Sequence, residues 1–152
     1  MKLDSTEKQL LRLLQSNGRA TNVELAAQLS LSESPCLRRV RAMEDAGLIE
    51  GYSARLNQRK LGLQVTAFVL VSLEKSNRES RVEFCERVAE EDFIIECHAL
   101  SGTYDYMLKI VAYSMDHFSE LSMNRISGFP GVKNIESQFS LIVIKENSPL
   151  PV

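Results

Sequence analysis

A chain of 152 residues, 44% hydrophobic and 25% charged, can form one average domain or two small ones around a proper core. Its longest apolar runs, 67–71 and 140–144, fall far short of the roughly 20 residues that span a bilayer, and Met1-Lys2-Leu3-Asp4 lacks the apolar stretch of a signal peptide. Net charge is −2, yet residues 1–62 hold ten Lys/Arg against seven Asp/Glu, while 63–152 hold eight against thirteen. A basic half joined to an acidic one is a mild pointer to a nucleic-acid module joined to something else.

In chain order, the first helix opens at Leu3-Asp4-Ser5-Thr6-Glu7, where Asp4 or Ser5 can cap it, and carries Leu10, Leu11 and Leu14 at helical spacing. Asn17-Gly18 ends it, with Gly18 able to take the left-handed conformation beyond the last turn. Thr21 or Asn22 caps a short second helix with Val23, Leu25, Ala26 and Leu29. Ser30-Leu31-Ser32 makes a turn. Ser32 can cap a third helix over 33–46, with Pro35 in the first turn, where a missing N–H costs little, and Gly47 as the stop.

At about 100° per residue, that third helix has two faces. Cys36, Leu37, Val40 and Met43 form an apolar stripe; Ser34, Arg38, Arg41 and Ala42 lie opposite, and Arg39 flanks. A helix entering the major groove needs guanidinium groups with small residues between them, so the backbone can come close. The same arrangement also describes a solvated helix face or a protein-contact surface. Cys36 reads as a small core residue. Residues 48–56 read as a strand or wing leaving the domain, and 57–62 as a polar linker.

The second half alternates in type: a β-branched and aromatic strand over 66–73, a helix over 78–91 with Val82, Cys85, Val88 and Ala89 inward, and strands over 93–100 and 104–113 joined by Ser101-Gly102-Thr103. A helix over 114–126 follows, capped by Ser114 with Met115, Phe118 and Leu121 inward. Gly128-Phe129-Pro130-Gly131 breaks it before a last strand over 132–145. The order βαββαβ is that of a ferredoxin-like domain. The expected fold class is α+β, with a winged helix-turn-helix over 1–50, a linker over 51–62 and the ferredoxin-like domain over 63–152.

The first strand is apolar on both sides, with Ala67, Val69, Val71 and Leu73 on one face and Phe68 and Leu70 on the other. Two helices cover one face of such a sheet, so the other needs a second copy of the chain; a homodimer is expected. A two-fold dimer would also pair the third helices over a palindromic site.

Chemistry elsewhere is sparse. Cys36, Cys85 and Cys97 are odd in number and lack C-x-x-C spacing, which argues against a disulfide framework or zinc site and fits a reducing, cytoplasmic setting. His98 and His117 lie on different elements with no ligand pattern, and Glu90-Glu91-Asp92 reads as a solvated helix end. There is no nucleophile elbow, phosphate-binding loop or dinucleotide glycine pattern, so no enzyme and no cofactor are expected.

The segments Thr21–Ala26 and Leu31–Ile49, with Ser-Pro-Cys-Leu-x-Arg-Val and the Glu-x-x-Gly-Leu-Ile ending, resemble the helix-turn-helix of the Lrp/AsnC, or feast/famine, regulators. The resemblance runs to the C-terminus, where Gly102-Thr103-Tyr104-Asp105-Tyr106 matches that family's Gly-x-x-Asp-Tyr motif. It implies a sequence-specific regulator of double-stranded DNA, contacting it through Ser32, Ser34, Pro35, Arg38, Arg39 and Arg41. It also implies dimers that assemble to octamers and an amino-acid effector held between dimers. Leu100, Gly102, Tyr104 and Asp105 would stand on one side of the effector, and Ser137, after the Pro-Gly-Val turn, on the other. A free amino acid needs N–H groups for its carboxylate and an acceptor for its ammonium; a glycine turn can expose the former and Asp105 supply the latter. From the residues alone, a plain hairpin turn accounts for the same loop. Thr103 departs from the acidic or small residue common in the family. Two other readings of the chain remain: an architectural DNA-binding protein without an effector, and a stand-alone amino-acid-binding module.

Overall fold

Leucines at helical spacing organise the N-terminal unit of this protein, whose computed structural model describes residues 2–74 and 78–152. Helix α1 (Ser5–Ser16) starts with a capping box in which the Asp4 carboxylate accepts from the Glu7 N–H at 2.8 Å and Glu7 accepts from the Asp4 N–H at 2.9 Å. Asp4, not Ser5, is therefore the cap. Helix α2 (Asn22–Gln28) repeats the device with Thr21 and Glu24, and α3 (Glu33–Asp45) follows after a four-residue connection, 29–32. Leu10, Leu11, Leu14, Leu25, Ala26, Cys36, Val40 and Met43 close the core. Burying each large apolar side chain contributes about 1.5–3 kcal/mol.

Two expectations change here. Gly18 is not among the left-handed residues; α1 ends when the Asn17 N–H bonds back to the Leu13 carbonyl, whereas Gly47 ends α3 at φ 67°. The expected strand over 48–56 does not form, since no other segment of the described residues pairs with it, and a ladder needs two strands.

The last eight residues belong to this unit rather than to the domain that precedes them: residues 145–152 group with the segment up to Arg55, and Leu56–Ile144 form the other unit. The Gln15 side-chain amide grips the Leu150 backbone from both sides, its Nε2 donating to the carbonyl at 3.2 Å and its Oε1 accepting from the N–H at 2.5 Å. Arg12 donates to a Val152 oxygen, and the Val152 side chain packs on the leucine core.

The second unit is a four-stranded antiparallel sheet with two helices, as expected. Strands β1 (Val65–Leu73), β2 (Ile94–Ala99), β3 (Tyr106–Ala112) and β4 (Val132–Phe139) lie in the order β2-β3-β1-β4. Val69 stands opposite Leu108 on one side and Ser137 on the other, and Val71 opposite Tyr106 and Ile135. Directly opposed residues share a face, so Ala67, Val69, Val71, Leu108, Ile110 and Ala112 form one buried layer under the helices. The reverse face centres on Phe68 and Leu70, half-buried, with Met107 beside Leu70 and Lys109 beside Phe68.

Helix α4 (Arg78–Glu90) is rotated from its expected setting. Phe84 and Val88 are buried, while Val82 is 49% exposed and Cys85 is exposed. Phe84 provides the larger apolar area and packs tilted against Tyr106 at 4.8 Å and edge-on against Phe129 at 6.2 Å. Helix α5 (Met115–Glu120), capped by Ser114, runs on through a π-helical segment (Leu121–Arg125) and a short 3-10 turn (Ile126–Gly128). Phe118, Leu121 and Ile126 point inward; Met115, expected inward, is half-exposed, because helix packing starts one turn later. The last strand ends at Phe139, six residues before its expected end. The Ser140 N–H still donates to the Thr66 carbonyl at 2.9 Å, but residues 141–144 find no neighbour strand, leaving Leu141 and Ile144 about nine-tenths exposed (90% and 88%).

Candidate functional site

The first candidate surface is the outer face of α3. Ser34, Leu37, Arg38, Arg41, Ala42 and Asp45 line one shallow groove along it, opposite buried Cys36, Val40 and Met43. Small residues flank both arginines. Among the described residues, neither Arg38 nor Arg41 has a hydrogen-bond or ion-pair partner, so both guanidinium groups are available to an anion. Leu37, expected in the apolar stripe, is 37% exposed and forms part of this groove instead.

The other expected contacts divide. Ser32 has the extended backbone of a cap residue, but its hydroxyl makes no capping bond; the turn before α3 is pinned by Asn22, whose Nδ2 donates to the Glu33 carbonyl at 2.8 Å. Pro35 is half-buried in the first turn. Arg39 does not join Arg38 and Arg41. Its guanidinium sits 2.6 Å from the Asp4 carboxylate and 3.5 Å from that of Glu7, locking α3 to the start of α1. The Glu7 N–H and then Arg39 hold the Asp4 carboxyl below its usual range.

The second candidate is the β2–β3 connection, 100–105. The Leu100 N–H donates to the Asp105 carbonyl at 2.9 Å and closes the loop, and the Asp105 N–H donates to the Val71 carbonyl at 2.9 Å. The amides of residues 101–104 take no part in the loop's backbone bonds, and the space before Gly102 is open. One Asp105 oxygen, Oδ2, accepts from the Leu73 N–H at 2.8 Å, so half of the expected ammonium acceptor already carries the end of β1. Tyr104 donates to the Glu136 carboxylate; this bond holds Glu136 below its ordinary range and pushes the Tyr104 phenol up. Glu136 was not readable from the sequence, because only strand pairing brings β4 within reach of the loop.

Ser137 is not brought to this loop within one chain. It pairs with Val69 at mid-strand, with β1 between it and β3, and its neighbour Glu136 projects from the other face. His117 is packed against Phe93 (4.5 Å) and Tyr113 (5.2 Å) and accepts from the Tyr113 N–H, while His98 lies 3.5 Å from Glu96. Among the described residues, no cluster of three potential metal ligands occurs, and no helix is long and apolar enough to cross a membrane.

Comparison with known proteins adds to this geometry. The profile of a winged helix-turn-helix DNA-binding domain matches residues 3–50, and that of the Lrp/AsnC ligand binding domain matches 66–150. A leucine-responsive regulatory protein of Rhizobium meliloti is 34% identical over 146 residues, covering 96% of this chain and 94% of the relative. A transcriptional regulator of Neisseria meningitidis, solved as its complex with L-methionine, superposes with a TM-score of 0.95 at 38% identity, over 99% of this chain and 97% of the other. A feast or famine regulatory protein of M. tuberculosis, also with L-methionine, gives 0.86 at 30% identity, over 95% and 96%.

Proposed function

This chain belongs to the Lrp/AsnC family of transcription regulators, which are DNA-binding proteins and not enzymes, and on that premise we propose that it binds specific duplex DNA as a homo-oligomer tuned by a free amino acid. The observation that carries the DNA reading is the pair of unpartnered guanidinium groups on the small-residue face of α3. With Ser34 at the helix start, Arg38 and Arg41 contact bases or phosphates of the major groove. Ser32 and Pro35 shape the approach of the backbone, and Arg39 holds the helix to α1 rather than to DNA.

A second copy covers the reverse sheet face around Phe68 and Leu70 and the exposed run 140–144, giving a two-fold dimer, and dimers assemble further into an octamer. The effector binds between dimers. The amides around Gly102 receive its carboxylate, the second Asp105 oxygen accepts from its ammonium, and Leu100 and Tyr104 flank it, with Ser137 contributed by another copy. Because two solved relatives hold L-methionine, that amino acid is the first probe. The protein works in the cytoplasm, where the operator and the amino-acid pool are.

A mobility-shift titration with an operator fragment and with random DNA, each with and without L-methionine and the other standard amino acids, tests the reading. Tighter binding to the operator, altered by one amino acid, supports it. Equal affinity for both fragments would instead indicate an architectural protein, and no response to any amino acid would remove the effector.

A further inference from the structure

The rotation of α4 leaves a pair of thiols that neither candidate surface uses. Cys85 lies on the exposed flank of α4, and Cys97 of β2 pairs with Leu108 of β3, which turns its side chain toward the helix layer. Both line one cleft of about 390 Å³ between α4 and β2, walled by Ala89 and Ile95. Solvent reaches both cysteines, whereas Cys36 is fully buried in the other unit.

The surroundings favour thiol chemistry. The Cys85 sulfur is 3.9 Å from the Tyr106 hydroxyl. Burial and then the neighbouring Cys85 push the Tyr106 phenol up, so it stays a proton donor at neutral pH. Arg81 lines the groove that continues along α4 from Cys85 and acts electrostatically on Tyr106. Burial, followed by Cys85, pushes the Cys97 thiol up. Because β2 is the edge strand of the sheet, it is held on one side only and can shift toward α4.

We propose that Cys85 and Cys97 form a dithiol site oxidised by hydrogen peroxide to a disulfide within the chain. The Cys85 thiolate attacks the peroxide; an S–O bond forms as the O–O bond breaks, and the departing hydroxide takes up the thiol proton as water. The Cys97 sulfur then attacks the sulfenic sulfur. The S–S bond forms, hydroxide leaves, and the Cys97 proton completes a second water. Two electrons pass from the thiols to the peroxide. The product ties α4 to β2 three residues before Leu100, so it stiffens the root of the 100–105 loop. The site stands whether or not that loop binds an amino acid.

The test uses the reduced full chain treated with hydrogen peroxide, alkylated, and mapped by peptide mass under non-reducing conditions. A Cys85–Cys97 cross-linked peptide, lighter by two hydrogens and reversed by dithiothreitol, is the expected product, with Cys36 alkylated only after unfolding. Cys97→Ser should stop at a Cys85 sulfenic acid trapped by dimedone, and Cys85→Ser should give neither product; alanine replaces serine where a variant fails to fold. Recovery of both thiols alkylated after peroxide, a Cys85 cross-link to a second chain, or oxidation of Cys85→Ser at the wild-type rate would each overturn the proposal.

Discussion

Arg39 and Asp4 stand 35 residues apart in sequence, yet their charged groups are 2.6 Å apart, which makes the third helix an extension of the first helix's cap. Three neighbouring arginines on one helix therefore have two different tasks, and substitution separates them. Arg38→Ala should weaken operator binding by about 1–3 kcal/mol if it pairs with a base, or chiefly reduce the salt slope if it pairs with a phosphate. Arg39→Ala should lower the melting temperature and leave the salt slope unchanged. Fluorescence anisotropy at several salt concentrations, beside thermal melts, reads both; a reduced salt slope in Arg39→Ala would return that residue to the DNA surface.

Asp105 shares its carboxylate between the fold and the proposed effector. Replacing it with alanine orphans the Leu73 N–H, which should cost about 1–3 kcal/mol in urea unfolding. Asp105→Asn keeps an acceptor oxygen and should recover most of that stability. Both variants should lose any thermal shift produced by L-methionine, because neither offers a charged partner to the ammonium. A shift retained in Asp105→Asn counts against the site.

The capping boxes make the N-terminal unit sensitive to acid. Asp4 is held below its ordinary 3.8, first by the Glu7 N–H and then by Arg39, and Glu24 below its ordinary 4.5 by the Thr21 N–H. A carboxylate depressed in the folded state adds stability that is whole above those ordinary values and disappears as pH falls through the folded ones. The melting-temperature gap between wild type and an Asp4→Asn, Glu24→Gln variant should therefore be widest near neutrality and close toward pH 3. A gap constant with pH would show that these carboxylates act only through shape.

On α4 the buried and exposed stripes are distinguishable by substitution. Phe84→Ala removes a ring packed against Tyr106 and Phe129 and should cost about 3–5 kcal/mol, whereas Val82→Ala should stay within about 0.5 kcal/mol. Denaturant midpoints of the two variants settle the orientation; similar losses would mean that Val82 too is covered, by a second copy of the chain.

Local rules read most of the elements correctly. Leu10, Leu11 and Leu14 bury together because helical spacing alone puts them on one stripe, and Gly47 stops α3 because its left-handed backbone suits glycine. The second unit's βαββαβ succession followed from the alternation of strand and helix patterns. Errors arose where two patterns fitted equally well or where the partner was distant. Val82, Cys85, Val88 and Ala89 are as regularly spaced as Phe84 and Val88, and only ring area against Tyr106 and Phe129 decides between them. The bonds from Asp105 to Leu73 and from Tyr104 to Glu136 depend on strand register, which no local periodicity encodes. Residues 141–144 have the composition of a strand and lack a neighbour to pair with.

The grip of Gln15 on Leu150 gives the backbone two crossings between the units, one at 55–56 and one at 144–145. A protease that cuts the irregular segment 50–57 would thus leave the helical fragment still attached, non-covalently, to the tail of the larger one. The two fragments should co-purify until Gln15 is changed. Conversely, a helix-turn-helix expressed as residues 1–55 would lack the peptide that covers its leucine core, so its stability and DNA affinity would describe an incomplete unit.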